Sequence, residues 1–502
     1  MDILFVTSEI YPLIKTGGLG DVAHGLPLAL RRHGLGVQVV LPAYRDALAR
    51  AGEVRAVARF TVTACGREYA VTIRAGELAA GVGLLLVDIP PLFDRPGNPY
   101  LDADGNDWWD NGERFGVFAM AAARLALGEG AVARADVVHC NDWQSALVPA
   151  LLQQYCADAA RRPPSVFTIH NLSYGGHFPY ELFAALGLPS AWWHFSKMEF
   201  YGAFSMLKGG IVFADHVTTV SPGYVEEICR EPGGFGLHSI LSQRRAAGTL
   251  SGILNGIDTS VWNPARDPHL PYRYSVKRGR VAQKRRNKQQ LLRQLGSGVA
   301  EDAPLLGFVG RLVEQKGIDL LLEILPALFD SSTANVVVVG CGMRQFERQL
   351  QALARAYPGR LLLYIGYREE LAHLVEGGCD IFLMPSRFEP CGLNQMYSLA
   401  YGTPPVVHAT GGLKDTVVDT TTATLADGSA TGFVFAPFTA TALRDAIERA
   451  LALYARPRRW QQVQKNGMQC DFSWENSARP YIELYRRLRR EHHEAIRSGR
   501  HD

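Results

Sequence analysis

The chain has 502 residues, with 52 Lys and Arg against 49 Asp and Glu, a formal charge of +3, and 47% hydrophobic and 20% charged residues. This profile excludes a disordered chain, which would be poor in apolar residues and rich in net charge, and it lacks the basic excess of a nucleic-acid-binding protein. At roughly 100–200 residues per domain, the length asks for two or more domains.

The N-terminal MDILFVTSEIYP carries an acid at position 2 and only a short apolar run, unlike the basic and long apolar regions of a signal peptide. No window approaches the roughly 18 apolar residues of a membrane span. The eight cysteines, Cys65, Cys140, Cys156, Cys229, Cys341, Cys379, Cys391 and Cys470, form no C-x-x-C pair or zinc-spaced cluster with histidine. A reducing, cytoplasmic location without a membrane partner is the expectation.

In the first half, predicted strands at residues 3–7, 37–41, 84–89, 137–140, 166–170 and 217–220 alternate with helical patterns such as 19–32 and 115–127. Continuous apolar strands separated by helices predict a parallel sheet covered on both faces. The first strand leads into Lys15-Thr16-Gly17-Gly18-Leu19-Gly20-Asp21-Val22-Ala23. Gly18 to Ala23 satisfies the dinucleotide fingerprint G-x-G-x-x-G/A, so an NAD-dependent oxidoreductase is one reading. Against it, the next strand ends in Leu41-Pro42-Ala43-Tyr44, without the acid expected about 20 residues on. Lys15 beside glycine backbone donors suits a phosphate instead. A plain tight turn with a solvated lysine is the bland alternative.

Residues 102 to 113 imitate a calcium loop, but Asp107 stands where an EF-hand needs glycine and Gly105 comes too early. No metal is expected there. Asn141-Asp142-Trp143 and His170-Asn171 each end a predicted strand. Together with Ser173-Tyr174-Gly175-Gly176-His177 they suit a sugar-binding edge, although a strand-end histidine is often structural.

Residues 255–303 contain NGID, WNPARDPHLPY and a basic run of Arg273, Lys277, Arg278, Arg280, Lys284, Arg285, Arg286 and Lys288. Turn residues and prolines at this density predict a connection, and the basic run a solvated helix face or linker. A boundary near Asn255 divides the chain into domains of residues 1–255 and 256–474.

The second half repeats the pattern, with strands at 305–309, 336–339, 361–365, 381–384, 406–408 and 433–435. Helices begin near Gly317, Met343, Glu369, Leu393 and Thr439. This predicts a second doubly wound sheet. Ligands of such sheets bind beyond the carboxyl ends of the strands, so two edges facing each other would make one deep cleft. Three motifs follow strands here. Gly310-Arg311-Leu312-Val313-Glu314-Gln315-Lys316-Gly317 brings two cations to a strand-to-helix loop, suited to a diphosphate. In Pro385-Ser386-Arg387-Phe388-Glu389-Pro390-Cys391-Gly392-Leu393, a helix start after Gly392 favours an anion. Glu389, expected at the loop's tip, is better matched to sugar hydroxyls. Thr410-Gly411-Gly412-Leu413 echoes Thr16 to Leu19 and suggests a second anion-lined wall.

These motifs, with Asn255-Gly256-Ile257-Asp258, resemble in order and spacing the bacterial glycogen synthase and plant starch synthase group of ADP-glucose glycosyltransferases, over nearly the whole chain. The resemblance implies an α/β architecture of two Rossmann-like domains facing a deep interdomain cleft, the glycosyltransferase B fold, with a C-terminal helix at about 475–502 crossing back onto the first domain. It implies transfer of glucose from ADP-glucose to the non-reducing end of an α-1,4-glucan, glycogen or malto-oligosaccharide, with retention, no cofactor and no metal. Lys15, Gly17, Gly18 and Asp21 would form the phosphate and glucose loop, Arg311 and Lys316 would hold the diphosphate helped by the backbone at Gly392 and Leu393, and Cys391, Gly411 and Gly412 would also belong to the donor site. Glu389 would bind glucose hydroxyls, His170 and Asn171 would lie beside the reacting sugar, and Tyr367 would pack on adenine. Asp142, Trp143 and Tyr174 are acceptor-side candidates. Many members of the group have His-Asp-Trp-His where this chain has Asn141-Asp142-Trp143-Gln144. A related transferase using UDP-glucose remains an alternative, a non-catalytic glucan-binding module fits less well, and oligomeric state stays open.

Overall fold

The computed structural model describes residues 1–498 except 103, 131–132, 277–280, 298–299 and 301. Lys277, Arg278 and Arg280 of the basic run, and residues 499–502 of the predicted last helix, lie outside the described residues. The chain divides into two compact units, Met1–Gly256 with Trp474–Asp502, and Ile257–Ser473.

In the first unit, the large sheet contains β1 (Asp2–Val6), β2 (Gly36–Pro42), β3 (Arg55–Ala64), β4 (Arg67–Ala79), β5 (Val82–Asp88), β6 (Val137–Asn141) and β7 (Ser165–Ile169). Three short strands, β8 (His177–Phe178), β9 (Glu199–Phe200) and β10 (Ala203–Ser205), make a separate sheet, and β11 (His216–Thr219) and β12 (Leu250–Gly252) return to the large one. Its order is β12-β11-β7-β6-β1-β2-β5-β4-β3.

All pairs from β12 to β5 are parallel, but β3, β4 and β5 pair antiparallel. The purely parallel expectation is therefore corrected: residues 55–79 form a hairpin that extends the edge. Its turn, Cys65-Gly66, has positive φ at both positions, 52° and 69°, the geometry of a two-residue hairpin loop that follows the twist of its strands.

The final helix, Trp474–Ser498, belongs to this unit. Trp474 lies against the helix Gly18–Arg32, where a Cβ on Gly25 would come 2.0 Å from its Nε1. Tyr485 meets the buried His139 Nδ1 at 2.6 Å, and His139 Nε2 meets Thr168 Oγ1 at 2.6 Å. Burial pushes His139 down to about 3, so the helix is tied to the sheet through a neutral polar chain.

The second unit contains β13 (Leu305–Val309), β14 (Asn335–Gly340), β15 (Leu361–Ile365), β16 (Ile381–Met384), β17 (Pro405–His408) and β18 (Phe433–Phe435), all parallel, in the order β15-β14-β13-β16-β17-β18. Alternate strand residues feed two cores. Leu306, Phe308, Val336, Val338, Ile381 and Leu383 face one cluster, and Leu305, Val337, Val339, Phe382 and Met384 the other. Continuous apolar strands are what a sheet covered on both faces requires.

The basic run is only in part the solvated face that was expected: Arg273, Arg285 and Arg286 are exposed, but two of its lysines are not. Lys284 and Lys288, on the helix Lys284–Gln294, are only 5% and 3% exposed. Lys284 Nζ donates to Glu376 O at 2.8 Å and Thr403 Oγ1 at 2.5 Å, while Lys288 Nζ meets Asp380 Oδ2 at 2.6 Å. Both cations dock this segment against the body of the unit. No described helix is long and apolar enough to cross a membrane.

Candidate active site

Counted in chain order within its own sheet, the second unit reads 3-2-1-4-5-6, the doubly wound order in which direction switches between the first and fourth strands. The loops after β13 and β16 flank that switch point, and these hold Arg311, Lys316 and Glu389. The parallel part of the first unit is ordered in the same way, with its switch between β1 and β6. The loop after β1 carries Lys15, and the turn after β6 carries Asp142 and Trp143. One strand further on, β7 is followed by His170 and Asn171.

The residues 15–19 loop is built on a buried acid that the sequence reading missed. Glu9, 3% exposed, accepts from Thr16 N at 2.5 Å, Thr16 Oγ1 at 2.6 Å, Gly17 N at 3.2 Å and Tyr100 Oη at 2.6 Å. A charged acceptor with several donors is among the stronger polar contacts available. Gly17's N–H is spent on Glu9. Gly18 starts the helix Gly18–Arg32, whose first N–H groups have no intrahelical acceptors. Lys15 Nζ lies 2.7 Å from Asp21 Oδ1 with both side chains partly exposed. The only signal for Glu9 was an acid immediately beyond an apolar strand.

Asp142 adopts φ +54°, in the left-handed region, and its half-buried carboxylate turns back toward the end of β7. Its Oδ1 accepts from His170 N at 2.8 Å. Burial pushes the Asp142 carboxyl up to about 7, against the N–H bonds of His170 and Asn171 that pull it down. Trp143 packs edge-on to Phe115, with centroids 5.1 Å apart, and tilted on Phe178 at 5.7 Å. Two of the three acceptor-side candidates thus make internal contacts, Asp142 with backbone and Trp143 with aromatic rings. Tyr174 is 55% exposed. Asn171 Oδ1 accepts from Ser173 N and Oγ at 3.1 and 2.7 Å, which shapes the following loop. His170 Nε2 meets Asn141 Oδ1 at 2.9 Å, and burial pushes the imidazole down to about 3.

In the second unit the loops after β13 and β16 are laced together. Arg387 N donates to Gln315 O at 2.8 Å, and Asn394 Nδ2 to Val309 O at 2.8 Å. Gly317, at φ +72°, approaches so closely that a Cβ would sit 2.0 Å from Pro385 O. Lys316 Nζ reaches Glu389 Oε2 at 2.5 Å, and Ser386 Oγ donates to the same oxygen at 2.9 Å. Glu389 is only 7% exposed. The acid expected at the loop's tip is thus buried, and its charge is balanced by the lysine expected to serve the diphosphate. Arg311 is exposed, with a contact of 3.5 Å to Gln315 Oε1.

The second glycine pair packs against the residues 385–393 loop. Gly412 N donates to Glu389 O at 3.1 Å and Pro390 O at 3.2 Å, so its N–H is occupied. A Cβ on Gly411 would lie 2.0 Å from Glu389 O, and one on Gly412 would lie 2.2 Å from Cys391 O. These glycines let the residues 385–393 loop pack down. Cys391 is buried, Gly392 has φ +73°, and the helix after Leu393 is Asn394–Ala400. Tyr367 follows β15 and is 60% exposed. Among the described residues, no three His, Cys, Asp or Glu side chains group as a metal site would need. Asp102 Oδ1, in the false calcium loop, accepts from Asp104 N and Asn106 N, both at 2.9 Å.

Known proteins match the chain along its length. A family model described as the starch synthase catalytic domain matches residues 2–243, and one described as glycosyl transferases group 1 matches residues 294–467. A glycogen synthase of Hydrogenovibrio crunogenus is 52% identical, over 97% of this chain and 100% of its own. One from Cellvibrio japonicus is 49% identical over 97% and 99%. The solved catalytic domain of starch synthase IV from Arabidopsis thaliana, bound to ADP and acarbose, superposes with a TM-score of 0.86 at 32% identity, covering 97% of this chain and 99% of that one. A sucrose-phosphate synthase from Thermosynechococcus elongatus, at 18% identity and a TM-score of 0.59, shares the fold. Fold and matches define a glucosyltransferase of the glycosyltransferase B class. The chain belongs to the glycogen synthase family, and the oxidoreductase reading of Gly18 to Ala23 falls with that assignment.

Proposed function

We propose that the chain transfers glucose from ADP-glucose to the 4-hydroxyl at the non-reducing end of an α-1,4-glucan, glycogen or malto-oligosaccharide, with retention, in the cytoplasm. The observation that carries this reading is the joined pair of loops at the second unit's switch point, where Lys316, Glu389 and the exposed Arg311 stand beside a helix start. Cations suit a diphosphate, and a fixed carboxylate suits sugar hydroxyls.

Arg311 and Lys316, with the backbone of Gly392 and Leu393, hold the diphosphate, and Glu389 orients the glucose. Gly411, Gly412 and Cys391 set the place of Glu389 through the packing of their loops. Tyr367 packs on adenine. Lys15, oriented by Asp21, and the turn at Gly17 and Gly18 meet the phosphate and the transferred glucose. His170 and Asn171 lie beside that sugar, and Tyr174, with Asp142 and Trp143 behind it, serves the acceptor side.

The bond from glucose C1 to the phosphate oxygen breaks, and charge grows on ADP, where preorganised cations stabilise it. The acceptor oxygen bonds to C1 from the same face, and its proton passes to a phosphate oxygen of the departing ADP. A double displacement would need a second carboxylate about 5–5.5 Å from the first. Glu389 is already engaged by Lys316 and Ser386, which favours front-face displacement over its use as a nucleophile. These side chains supply charge stabilisation without a step through a metal.

Incubation with labelled ADP-glucose or UDP-glucose and glycogen, with and without chelator, tests the reading. Incorporation from ADP-glucose that survives chelation is expected. Absence of incorporation from either donor overturns it.

A further inference from the structure

We infer that Asn141 is a positioning residue: it fixes the tautomer of His170, so that the imidazole offers an unprotonated Nδ1 to a hydroxyl of the transferred sugar. This rests on the proposed place of His170 beside that sugar, while the tautomer follows from the geometry of the first unit alone.

Asn141 closes β6 and is fully buried. Its Nδ2 donates to Val6 O at 3.0 Å, and a backbone carbonyl can only accept, so the amide has one orientation. Its Oδ1 therefore faces His170 Nε2, at 2.9 Å. An amide oxygen can only accept, so Nε2 must carry the proton. Burial keeps the ring neutral at ordinary pH, which leaves no second proton for Nδ1. Among the described residues Nδ1 has no hydrogen-bond partner.

The backbone on either side is held as well. His170 N donates to Asp142 Oδ1 at 2.8 Å, and Asn141 N to Ser145 Oγ at 2.6 Å. His139, itself neutral through burial, is the titratable group coupled to this ring, and Asp142 meets the backbone N–H of His170.

A neutral ring with a lone pair at Nδ1 attracts a hydroxyl and repels a phosphate oxygen. His170 thus serves neither as a cation for the leaving group nor as a general acid, and the group it takes is a sugar hydroxyl. The amide enforces this because it cannot exchange donor and acceptor roles. An imidazole at position 141 could, since either of its nitrogens can carry the proton.

The test uses the full chain with nitrogen-15 in its histidine rings, and His170→Gln identifies the His170 signals. The wild type should show a protonated Nε2 and a bare Nδ1 across the neutral range. Asn141→Ala should mix the tautomers and lower kcat by about 10–100-fold, the scale seen when the partner orienting a functional imidazole is lost. Asn141→Asp should keep Nε2–H but draw a second proton onto the ring, giving kcat/KM for ADP-glucose a new acid limb that alkaline pH relieves. A structural defect alone would depress activity equally at every pH. A proton on Nδ1 in the wild type, or wild-type kcat with a single tautomer in Asn141→Ala, overturns the inference. A wild type without transfer from either nucleotide sugar overturns the functional reading instead, and the ring spectrum still decides the tautomer.

Discussion

Lys316 and Glu389 form a single charged group, with Nζ 2.5 Å from Oε2 and side chains 19% and 9% exposed. Neither is available alone. In the proposed reading, the lysine assigned to the diphosphate also fixes the carboxylate assigned to the sugar, so the positions of two substrate groups would be coupled through one contact.

Removal of either partner should therefore disable both. Lys316→Ala and Glu389→Ala should each lower kcat by roughly 10²–10³-fold, the cost of losing one preorganised electrostatic group. The double variant should fall well short of the product of the two losses, with a coupling of roughly 0.5–3 kcal/mol. Initial rates of labelled glucose incorporation for the four proteins complete the cycle, and strictly additive losses would show that the pair does not act as a unit.

Arg311 is the more exposed cation of the second unit's site. Arg311→Ala should reduce kcat by roughly 10²–10³-fold, as should Lys15→Ala. Arg311→Lys should recover only part of the loss, because an ammonium cannot replace the guanidinium's two-pronged donors to phosphate. Single-turnover rates measure this, and a wild-type rate for either alanine variant would remove that residue from the diphosphate site.

Glu9→Gln keeps the shape of the buried side chain but turns one acceptor oxygen into a donor. At least one of Thr16 N, Thr16 Oγ1, Gly17 N and Tyr100 Oη then loses its acceptor. An unsatisfied buried polar group costs about 1–3 kcal/mol, enough to lower Tm by several degrees. KM for ADP-glucose should rise with the loosened loop. Calorimetry and substrate titration read the two effects separately, and an unchanged KM would mean that Glu9 does not organise the loop for the donor.

The second unit holds a pH-dependent contact in its core. His373 Nδ1 meets Asp267 Oδ2 at 2.8 Å, and Trp262 stacks on the imidazole at 3.8 Å. Burial alone would lower the His373 pKa, but hydrogen bonds to Asp267 and Glu369 outweigh it and raise the value above 6.5. Burial likewise works to raise Asp267, and bonds from His373 and Tyr401 hold it below 3.8. The raised histidine stabilises fully below its unfolded value of 6.5 and loses its contribution as pH climbs through the folded one. The depressed aspartate contributes above 3.8 and loses as pH falls through its folded value. Urea unfolding of wild type and His373→Gln should therefore differ most in mildly acidic solution and converge toward alkaline pH. A gap that widens with alkalinity would reverse the sign of the argument.

Several elements could be read from residues alone because local chemistry decides them. The runs at β13, β15, β16 and β18 were marked by apolar continuity, and the helix Gly18–Arg32 by its periodicity; it ends before Gly34, at φ +84°. The hairpin of β3 and β4 escaped because its alternating strands sit at a sheet edge among parallel ones. Its signal was the two-residue turn at Cys65-Gly66. Lys284 and Lys288 misled because a basic helix normally faces water, and backbone carbonyls, the Thr403 hydroxyl and Asp380 from other segments make their burial tolerable.

Short-range pattern was enough to specify the layered α/β class, the loops that carry the candidate site and the family they resemble. Tertiary structure alone decided that Glu389 is paired with Lys316, that Glu9 is the base of the residues 15–19 loop, that Gly412 spends its N–H on loop packing, and that Asn141 governs the proton of His170. Each of those contacts joins groups brought together by strand order, and a hydrogen bond depends on distance and direction, which residue identity does not carry.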